Sequence, residues 1–186
     1  ALLASVPEPK NAEIAFATVM GAGPRTALAT FFPSDRPMRR GDLAVLDCGA
    51  RVAGYHGDMC RTVAIGGPDA VQAPMLSAVA ESVRAATAAA RPGARVADVN
   101  AAADEAVVAA GFGDSWWGAF MPHGTGTGQH EIPHALADGE LVLEPGMVMC
   151  IEPGIAVPNV GAVILEQMIL VGEAGAETLT RLPLEM

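Results

Sequence analysis

The amino-acid sequence predicts an α+β fold, built from antiparallel β-hairpins and two covering helices. Strand-length apolar runs group into hairpins around turns that carry glycine or proline. Two alanine-rich segments have the length and end signals of helices, but strands and helices do not alternate as they do in a doubly wound parallel sheet. The 186 residues are 51% hydrophobic and 17% charged, which suits one domain with a continuous core rather than a disordered chain.

The first hairpin is expected over residues 43–66. Residues 1–16 give little signal, and the prolines and glycine of residues 24–42 mark turns. Residues 43–47 (LAVLD) then form an apolar run of strand length, and residues 59–66 (MCRTVAIG) return as a second strand after the turn GYHGD.

Two helices are expected next, followed by further strands. Asp69 can cap a helix that runs to about residue 90, where a Pro-Gly pair follows. A second helix is expected over about residues 96–110, with a glycine directly behind it. Residues 112–134 are rich in Gly, Trp and His and indicate strand and loop. The last strands are expected at residues 147–152 (MVMCIE) and 162–171 (AVILEQMILV).

The net charge limits the partners that the chain can bind. At −10, the chain lacks the basic face that nucleic acids and anionic membranes require. No apolar run approaches the roughly 20 residues of a membrane helix, and no charged and apolar leader opens the chain. We therefore expect neither nucleic-acid binding nor membrane binding.

The cysteines indicate a reducing compartment. Cys48, Cys60 and Cys150 are odd in number, widely spaced, and form no CxxC pair. They fit reduced thiols that pack as small apolar side chains, and a thiolate zinc site is not indicated. We expect a cytoplasmic location.

Four carboxylates lie inside or at the end of apolar, strand-like runs: Asp47, Asp58, Glu152 and Glu166. Burying an unpaired carboxylate is costly, and few basic residues lie nearby, so a pair of divalent metal ions is the simplest counter-charge. Asp47 and Asp58 lie on the two arms of the predicted hairpin, close enough to share a metal. Three of the four have an alternative without metal: a strand end for Asp47, a turn for Asp58 and a water-facing edge strand for Glu166.

A glycine-rich run, PHGTGTGQHEIP, begins with His123. Its glycines let the backbone pass close to a metal or a substrate, and the alternative is an ordinary loop histidine. Residues 130–134 (HEIPH) match the HExxH pattern of zinc proteases, but that pattern requires a helix, which Pro133 would interrupt. GTGTG also lacks the spacing of a dinucleotide-binding or phosphate-binding loop.

Together these segments resemble the pita-bread metallopeptidases of family M24, which include methionine aminopeptidase, aminopeptidase P and prolidase. The resemblance covers about residues 20–183. The two aspartates are eleven positions apart as in that family, and its metal histidine likewise leads a Gly-rich turn with a second histidine seven residues on. Its PGM and IEPG motifs are matched at residues 145–154, and its last Glu, with the LV and ExLT that follow, at residues 166–180. GDMCRT and the closing residues favour the proline-handling branch.

The resemblance implies a curved antiparallel sheet with helices on its outer face and two divalent metal ions. Asp58 and Glu166 would bridge the ions. Asp47 would bind one ion, and His123 and Glu152 would bind the other. This oxygen-rich set suits Mn²⁺ or Co²⁺, with Zn²⁺ or Fe²⁺ as alternatives.

The resemblance also implies the chemistry. A hydroxide between the ions would attack an amide near the N-terminus of a peptide, as in Xaa-Pro aminopeptidases and dipeptidases. His130 would hydrogen-bond the substrate or the developing oxyanion, and Glu152 would shuttle a proton. The partner would be a small peptide or amide, and a homodimer is one option for the assembly.

Two positions depart from the family pattern. Thr30 occupies the place of a substrate-binding histidine, and Ile164 stands where proline-specific members often have an arginine. Two alternatives therefore stay open: a hydrolase of the same fold that acts on a non-peptide amide, and a binding module without turnover. Residues 1–186 are expected to be a single catalytic domain, N-terminally truncated or incomplete, because the part before residue 20 is shorter than in the family.

Two thiols are expected beside the metal site. Residues two apart in a strand share a face, so Cys60 lies on the face of Asp58 and Cys150 on that of Glu152. The thiols would bond to the ligands or act as extra soft ligands that favour Zn²⁺, and inert core packing is the alternative. The aromatic residues that suit either the pocket or the core, with the core favoured, are Phe31, Phe32, Trp116 and Trp117.

Overall fold

Antiparallel strands and two α-helices make up the part of the chain that the computed structural model describes, which is residues 12–28, 31, 34–115, 122–134 and 138–184. Within these ranges, none of the helices has the length and apolar character needed to cross a membrane. The helices are α1 (Gln72–Ala89) and α2 (Val96–Ala109). The strands are β1 (Ala12–Ile14), β2 (Val19–Ala22), β3 (Leu43–Cys48), β4 (Ala50–Val52), β5 (Tyr55–His56), β6 (Met59–Ala64), β7 (His123–Gly124), β8 (Glu131–His134), β9 (Val148–Ile151), β10 (Gly154–Val157), β11 (Gly161–Ile164), β12 (Gln167–Val171) and β13 (Ala176–Thr178).

The predicted hairpin over residues 43–66 is present, and it carries an extra pair of strands at its tip. β3 and β6 pair antiparallel with Asp47 opposite Cys60, and β2 pairs with the other edge of β3. Between β3 and β6, the short strands β4 and β5 form a second sheet with β1. Asp47 therefore lies near the end of β3, and Asp58 lies directly before β6.

A five-stranded sheet in the order β13-β12-β9-β7-β8 brings the second half of the chain together. Cys150 on β9 lies opposite His123 on β7 and opposite Met168 on β12. Directly paired residues point to the same face of a sheet. The three side chains therefore form a row across the sheet.

The apolar run at residues 162–171 forms two strands, not the one continuous strand that the sequence predicts. β11 pairs with β10, whereas β12 pairs with β9 in a different sheet. Between β11 and β12, the N–H of Glu166 donates to the carbonyl of Cys60 on β6 at 3.0 Å. Glu166 therefore lies where the β2-β3-β6 sheet meets the five-stranded sheet.

The two helices lie close to their predicted bounds, with α1 against β9, β10, β11 and β13 and α2 packed on α1. Before α1, the carboxylate of Asp69 accepts hydrogen bonds from the N–H groups of Val71 and Gln72, both at 2.8 Å, at the end where a helix lacks partners. Gly111 follows α2 with a φ of 86°, a conformation that suits glycine at a helix end. The core that joins both helices to the sheet includes Met75, Val79, Val83, Val99, Val107, Met149, Ile151 and Ile169.

A smaller apolar cluster packs beside β3, β6 and β11. Its buried members are Phe31, Val45, Cys60, Ala162 and Ile164. Phe31 is thus a core residue, the alternative that the sequence favours. The same prediction for Phe32, Trp116 and Trp117 falls outside the described residues.

Candidate metal centre

Four buried side chains bring potential metal-binding atoms together. The atoms, all within 4.8 Å of one another, are a carboxylate oxygen of Asp58, a ring nitrogen of His123, the sulfur of Cys150 and a carboxylate oxygen of Glu166. They come from β7, β9 and the residues directly before β6 and β12, so four separate segments of the chain converge. Three of the four are among the predicted ligands, and the sulfur is the fourth.

Several atoms of this centre are buried without a hydrogen-bond partner. They are Nε2 of His123, both carboxylate oxygens of Glu166 and Oδ1 of Asp47. The side chains of His123 and Glu166 are 0% and 1% exposed, so the alternative of a water-facing Glu166 is wrong. An unpaired buried polar atom costs about 1–3 kcal/mol, and more when it is charged. The arrangement therefore fits a bound cation.

The hydrogen bonding of His123 leaves one ring nitrogen ready to bind a metal. Nδ1 lies 3.0 Å from the carbonyl oxygen of Gly124, and a carbonyl can only accept, so Nδ1 carries the proton. Burial lowers the pKa of His123, which keeps the ring neutral. The lone pair of Nε2 is then free, at 3.7 Å from a carboxylate oxygen of Glu166. Two electron-rich atoms at this distance repel each other unless a cation lies between them.

Burial and mutual repulsion raise the pKa values of the carboxylates around the centre. The pKa of Asp47 rises to about 7, chiefly through burial and then through the charge of Asp58. The pKa values of Glu152 and Glu166 rise well above their ordinary range, through burial first and then through the charge of Glu166 on Glu152 and of Asp58 on Glu166. Burial also raises the pKa of Asp58. Asp47 and Glu152, the two predicted ligands outside the group of four atoms, thus lie within electrostatic reach of it.

The raised pKa of Asp47 predicts how the stability of the metal-free protein depends on pH. The ordinary pKa of this carboxyl is 3.8 and its pKa in the folded chain is about 7, so between these values the folded state holds a proton that the unfolded state has released. The free energy of unfolding therefore falls as the pH rises through this window, by at least about 1 kcal/mol for a partly exposed group. Urea denaturation of the chelator-treated, full-length protein between about pH 5 and pH 7.5 measures this change.

The Asp47→Asn variant is the matched control for this experiment. Since it lacks the titrating carboxyl, its stability should vary less with pH in the same window. Added divalent metal should act in the opposite sense, because metal binds the ionised carboxylates and its affinity declines as the pH drops below about 7. An identical pH dependence in the wild type and in Asp47→Asn would contradict the prediction.

Three histidine rings lie together at the centre. The ring of His130 meets that of His123 edge-on at 4.3 Å between centroids, and the ring of His134 stacks on His123 at 6.4 Å. Burial, followed by the charge of His123, lowers the pKa of His130, so its imidazole is neutral. His134 is a member of this group that the sequence did not predict. It is the last residue of the HExxH pattern at residues 130–134, and residues 131–134 form strand β8 opposite β7 rather than a helix.

The glycine-rich loop after β7 is held by Glu131. Its carboxylate accepts hydrogen bonds from the N–H of Gly128 at 2.5 Å and from the hydroxyl of Thr127 at 3.1 Å. A Cβ atom on Gly124 would lie only 2.7 Å from the carbonyl oxygen of Ile132. Glycine is therefore required here for β7 and β8 to approach each other.

The two thiols that the sequence places beside the centre have different surroundings. Cys150 contributes to the group of four donor atoms, whereas Cys60 packs in the smaller apolar cluster. Burial, followed by the charges of nearby carboxylates, raises the pKa of both. Of the two departures from the family pattern, Thr30 lies outside the described residues. Ile164 is buried in the apolar cluster together with Cys60.

Comparison with known proteins shows which protein family the chain belongs to. The model of metallopeptidase family M24 matches residues 4–173. The Xaa-Pro dipeptidase of Pyrococcus furiosus is 37% identical over 172 residues, covering 92% of this chain and 49% of that protein. The probable dipeptidase PepE of Mycobacterium tuberculosis is 38% identical, covering 95% of this chain and 47% of its own length. The chain thus spans about half the length of the curated relatives it matches.

Solved structures agree with the fold. The prolidase from Pyrococcus furiosus superposes with a TM-score of 0.88, over 93% of this chain and 51% of that one, at 37% identity. The X-Pro aminopeptidase from Thermotoga maritima superposes with a TM-score of 0.87, over 93% of this chain and 48% of that one, at 31% identity. These neighbours confirm the predicted α+β pita-bread fold. The chain belongs to metallopeptidase family M24.

Proposed function

We propose that this chain provides the catalytic centre of a hydrolase that uses divalent metal to cleave an amide bond near the N-terminus of a peptide. The observation that carries the proposal is the convergence of buried, unpartnered donor atoms from His123 and Glu166 beside Asp58. The printed names of its relatives, Xaa-Pro dipeptidase and X-Pro aminopeptidase, favour substrates with proline in the second position.

Two divalent ions account for all five predicted ligands. Asp58 and Glu166 would contact both ions. Asp47 would hold one ion, and His123 and Glu152 the other. Carboxylate oxygens with one imidazole suit Mn²⁺ or Co²⁺, with Zn²⁺ or Fe²⁺ as alternatives. When bound, such ions lower the pKa of a water to supply the nucleophile and polarise the substrate carbonyl.

Two further side chains would act on the substrate. His130 is neutral and lies against His123, so its N–H can donate a hydrogen bond to the substrate carbonyl as negative charge develops on the oxygen. Glu152 directly follows β9 and is partly exposed, so it can pass a proton between the nucleophile and the leaving amine.

Hydrolysis of Xaa-Pro dipeptides and longer Xaa-Pro peptides by the full-length protein tests the proposal. After removal of metal with a chelator, we expect no hydrolysis, and we expect Mn²⁺ or Co²⁺ to restore it. The His130→Ala variant should still bind metal but lose about a hundredfold or more in kcat, as removal of an oxyanion donor does. A protein that binds no divalent metal, or an active chelator-treated protein, would overturn the proposal.

A second candidate is a hydrolase of the same fold that cleaves a non-peptide amide. It is favoured by Ile164, whose side chain lies in an apolar cluster at the position where proline-specific members often have an arginine. A protein that binds metal but cleaves no Xaa-Pro peptide, and that does cleave cyclic or modified amino-acid amides, would support this candidate. A binding module without turnover would instead be expected to have lost metal binding, so metal analysis of the purified protein separates it from both hydrolases.

Three broader expectations accompany the proposal. The three cysteines form no disulfide, which supports a reducing compartment, and we propose the cytoplasm. Since one family model matches residues 4–173, we propose that residues 1–186 form a single catalytic domain. The homodimer stays a prediction that light scattering of the full-length protein would test.

A further inference from the structure

Cys150 presents its sulfur to the metal centre. Its side chain is fully buried on β9, directly opposite His123 on β7, so both side chains point to the same face of the sheet. The sulfur lies within 4.8 Å of donor atoms from Asp58, His123 and Glu166. A cation held by these three residues would therefore lie within reach of the sulfur as well.

The unpartnered atoms around this sulfur indicate a ligand independently. Nε2 of His123 and both oxygens of Glu166 have no hydrogen-bond partner, and both side chains are at least nine-tenths buried. On the other side of Cys150, the row continues with Met168, whose Sδ accepts a hydrogen bond from the N–H of Asp58 at 3.2 Å. The centre is thus bordered by sulfur on β9 and on β12.

We propose that Cys150 is a metal ligand, so that the ion nearest His123 is held by nitrogen, oxygen and sulfur. The inference rests on the proposed metal centre and adds a ligand to it. As the metal–sulfur bond forms, the thiol proton is released to solvent, and no oxidation or reduction occurs. Because soft thiolate ligands select Zn²⁺ over Mn²⁺, Cys150 shifts the metal preference of this centre toward Zn²⁺. Co²⁺ can replace Zn²⁺ in spectroscopic experiments.

Cys60 provides a matched comparison. It is also a buried cysteine near the carboxylates, yet its side chain belongs to the apolar cluster of Phe31 and Ile164 and is not among the four converging donor atoms. If sulfur near the centre acted only as apolar packing, Cys60 and Cys150 would behave alike. A difference between their serine variants therefore isolates the contact with metal.

Titration of the metal-free, full-length protein with Co²⁺ tests the proposal by absorption spectroscopy. We expect an intense near-ultraviolet band from thiolate-to-cobalt charge transfer, in addition to the weak visible bands of bound cobalt. The Cys150→Ser variant should keep the visible bands and lose the near-ultraviolet band, whereas Cys60→Ser should keep both. A wild-type protein without the near-ultraviolet band, or a Cys150→Ser variant that retains it, would overturn the proposal.

X-ray absorption of the Zn²⁺-loaded wild type avoids any dependence on the folding of a variant. We expect a sulfur neighbour at about 2.3 Å from zinc. A shell of nitrogen and oxygen alone would instead mean that Cys150 remains a neutral thiol. Competition between Zn²⁺ and Mn²⁺ should also show a preference for Zn²⁺ that falls by about tenfold or more in Cys150→Ser. None of these measurements involves hydrolysis, so they test metal binding by Cys150 separately from the proposed activity.

Discussion

Replacement of Glu166 by glutamine is expected to abolish metal binding and hydrolysis while making the metal-free protein more stable. Glu166 is 1% exposed, and neither of its oxygens has a hydrogen-bond partner. Burial and the charge of Asp58 raise its pKa well above the ordinary range, so folding without metal near neutral pH must either protonate this carboxyl or bury it charged, and both cost free energy. A neutral amide of the same shape removes that cost, and we expect the free energy of unfolding to rise by about 1–2 kcal/mol. Because metal supplies several kcal/mol of transition-state stabilisation, kcat/KM should fall by about a thousandfold or more.

Glu166→Gln should raise the stability of the metal-free protein and remove the stabilisation that added metal gives. Thermal unfolding with and without divalent metal measures both changes, since a ligand that binds only the folded state raises its stability. Glu177→Gln on the exposed strand β13 is the control, and it should leave the metal-dependent shift and the metal-free stability nearly unchanged. A Glu166→Gln variant that is less stable than the wild type without metal would indicate that this carboxylate has a structural partner rather than a metal.

The hairpin and the helices were predictable because their signals are local. The apolar runs of strand length and the cap at Asp69 depend only on neighbouring residues, and the structure places these elements close to the expected bounds. The short strands β4 and β5 were missed for a local reason. Their two-residue turn is Ala53-Gly54, with φ values of 52° and 88°, and this turn type is normally signalled by Asn-Gly or Asp-Gly.

The break between β11 and β12 was not predictable from local signals. Residues 162–171 are apolar on both sides of Glu166, so nothing in the pattern separates two strands that belong to different sheets. The break is set by bonds from distant segments: Leu165 N–H donates to Pro153, and Glu166 N–H donates to Cys60. The anomaly that the sequence did show, a carboxylate in an apolar run, correctly marked the place where the segments meet.

The metal centre was likewise predictable only in part. The cost of burial identified the carboxylates, and the family resemblance identified which histidine joins them, but neither identified the residues that face this histidine from the neighbouring strands. The pairing of β7 with β8 places His134 opposite His123, which no local signal predicted. The pairing of β7 with β9 places Cys150 opposite His123 as well, where its two-residue spacing from Glu152 predicted only a position beside the site. Such pairs depend on register between strands that are far apart in sequence, and register cannot be derived from either strand alone.

Arg61 is the second residue whose replacement should have a large effect. It is 3% exposed, and its guanidinium donates to four backbone carbonyls, those of Cys60, Glu166, Leu182 and Pro183. It thereby joins β6, the break before β12 and the C-terminal segment around residues 182–183. Because hydrogen bonds from a charged donor contribute about 1.5–3 kcal/mol each and the buried carbonyl of Glu166 would lose this donor, Arg61→Met should lower the free energy of unfolding by about 3 kcal/mol or more.

Urea denaturation and metal titration together separate the two roles of Arg61. Since the guanidinium fixes the backbone on which Glu166 is mounted, we expect Arg61→Met to weaken metal affinity as well as stability, even under conditions where the variant is folded. Arg61→Lys should recover little of either, because an ammonium cannot span four carbonyls as a planar fork does. Arg84→Met, which removes an exposed helical pair with Glu81, should change stability by less than about 0.5 kcal/mol and leave metal affinity intact. Unchanged metal affinity in a folded Arg61→Met variant would show that this arginine holds the C-terminal segment without positioning the centre.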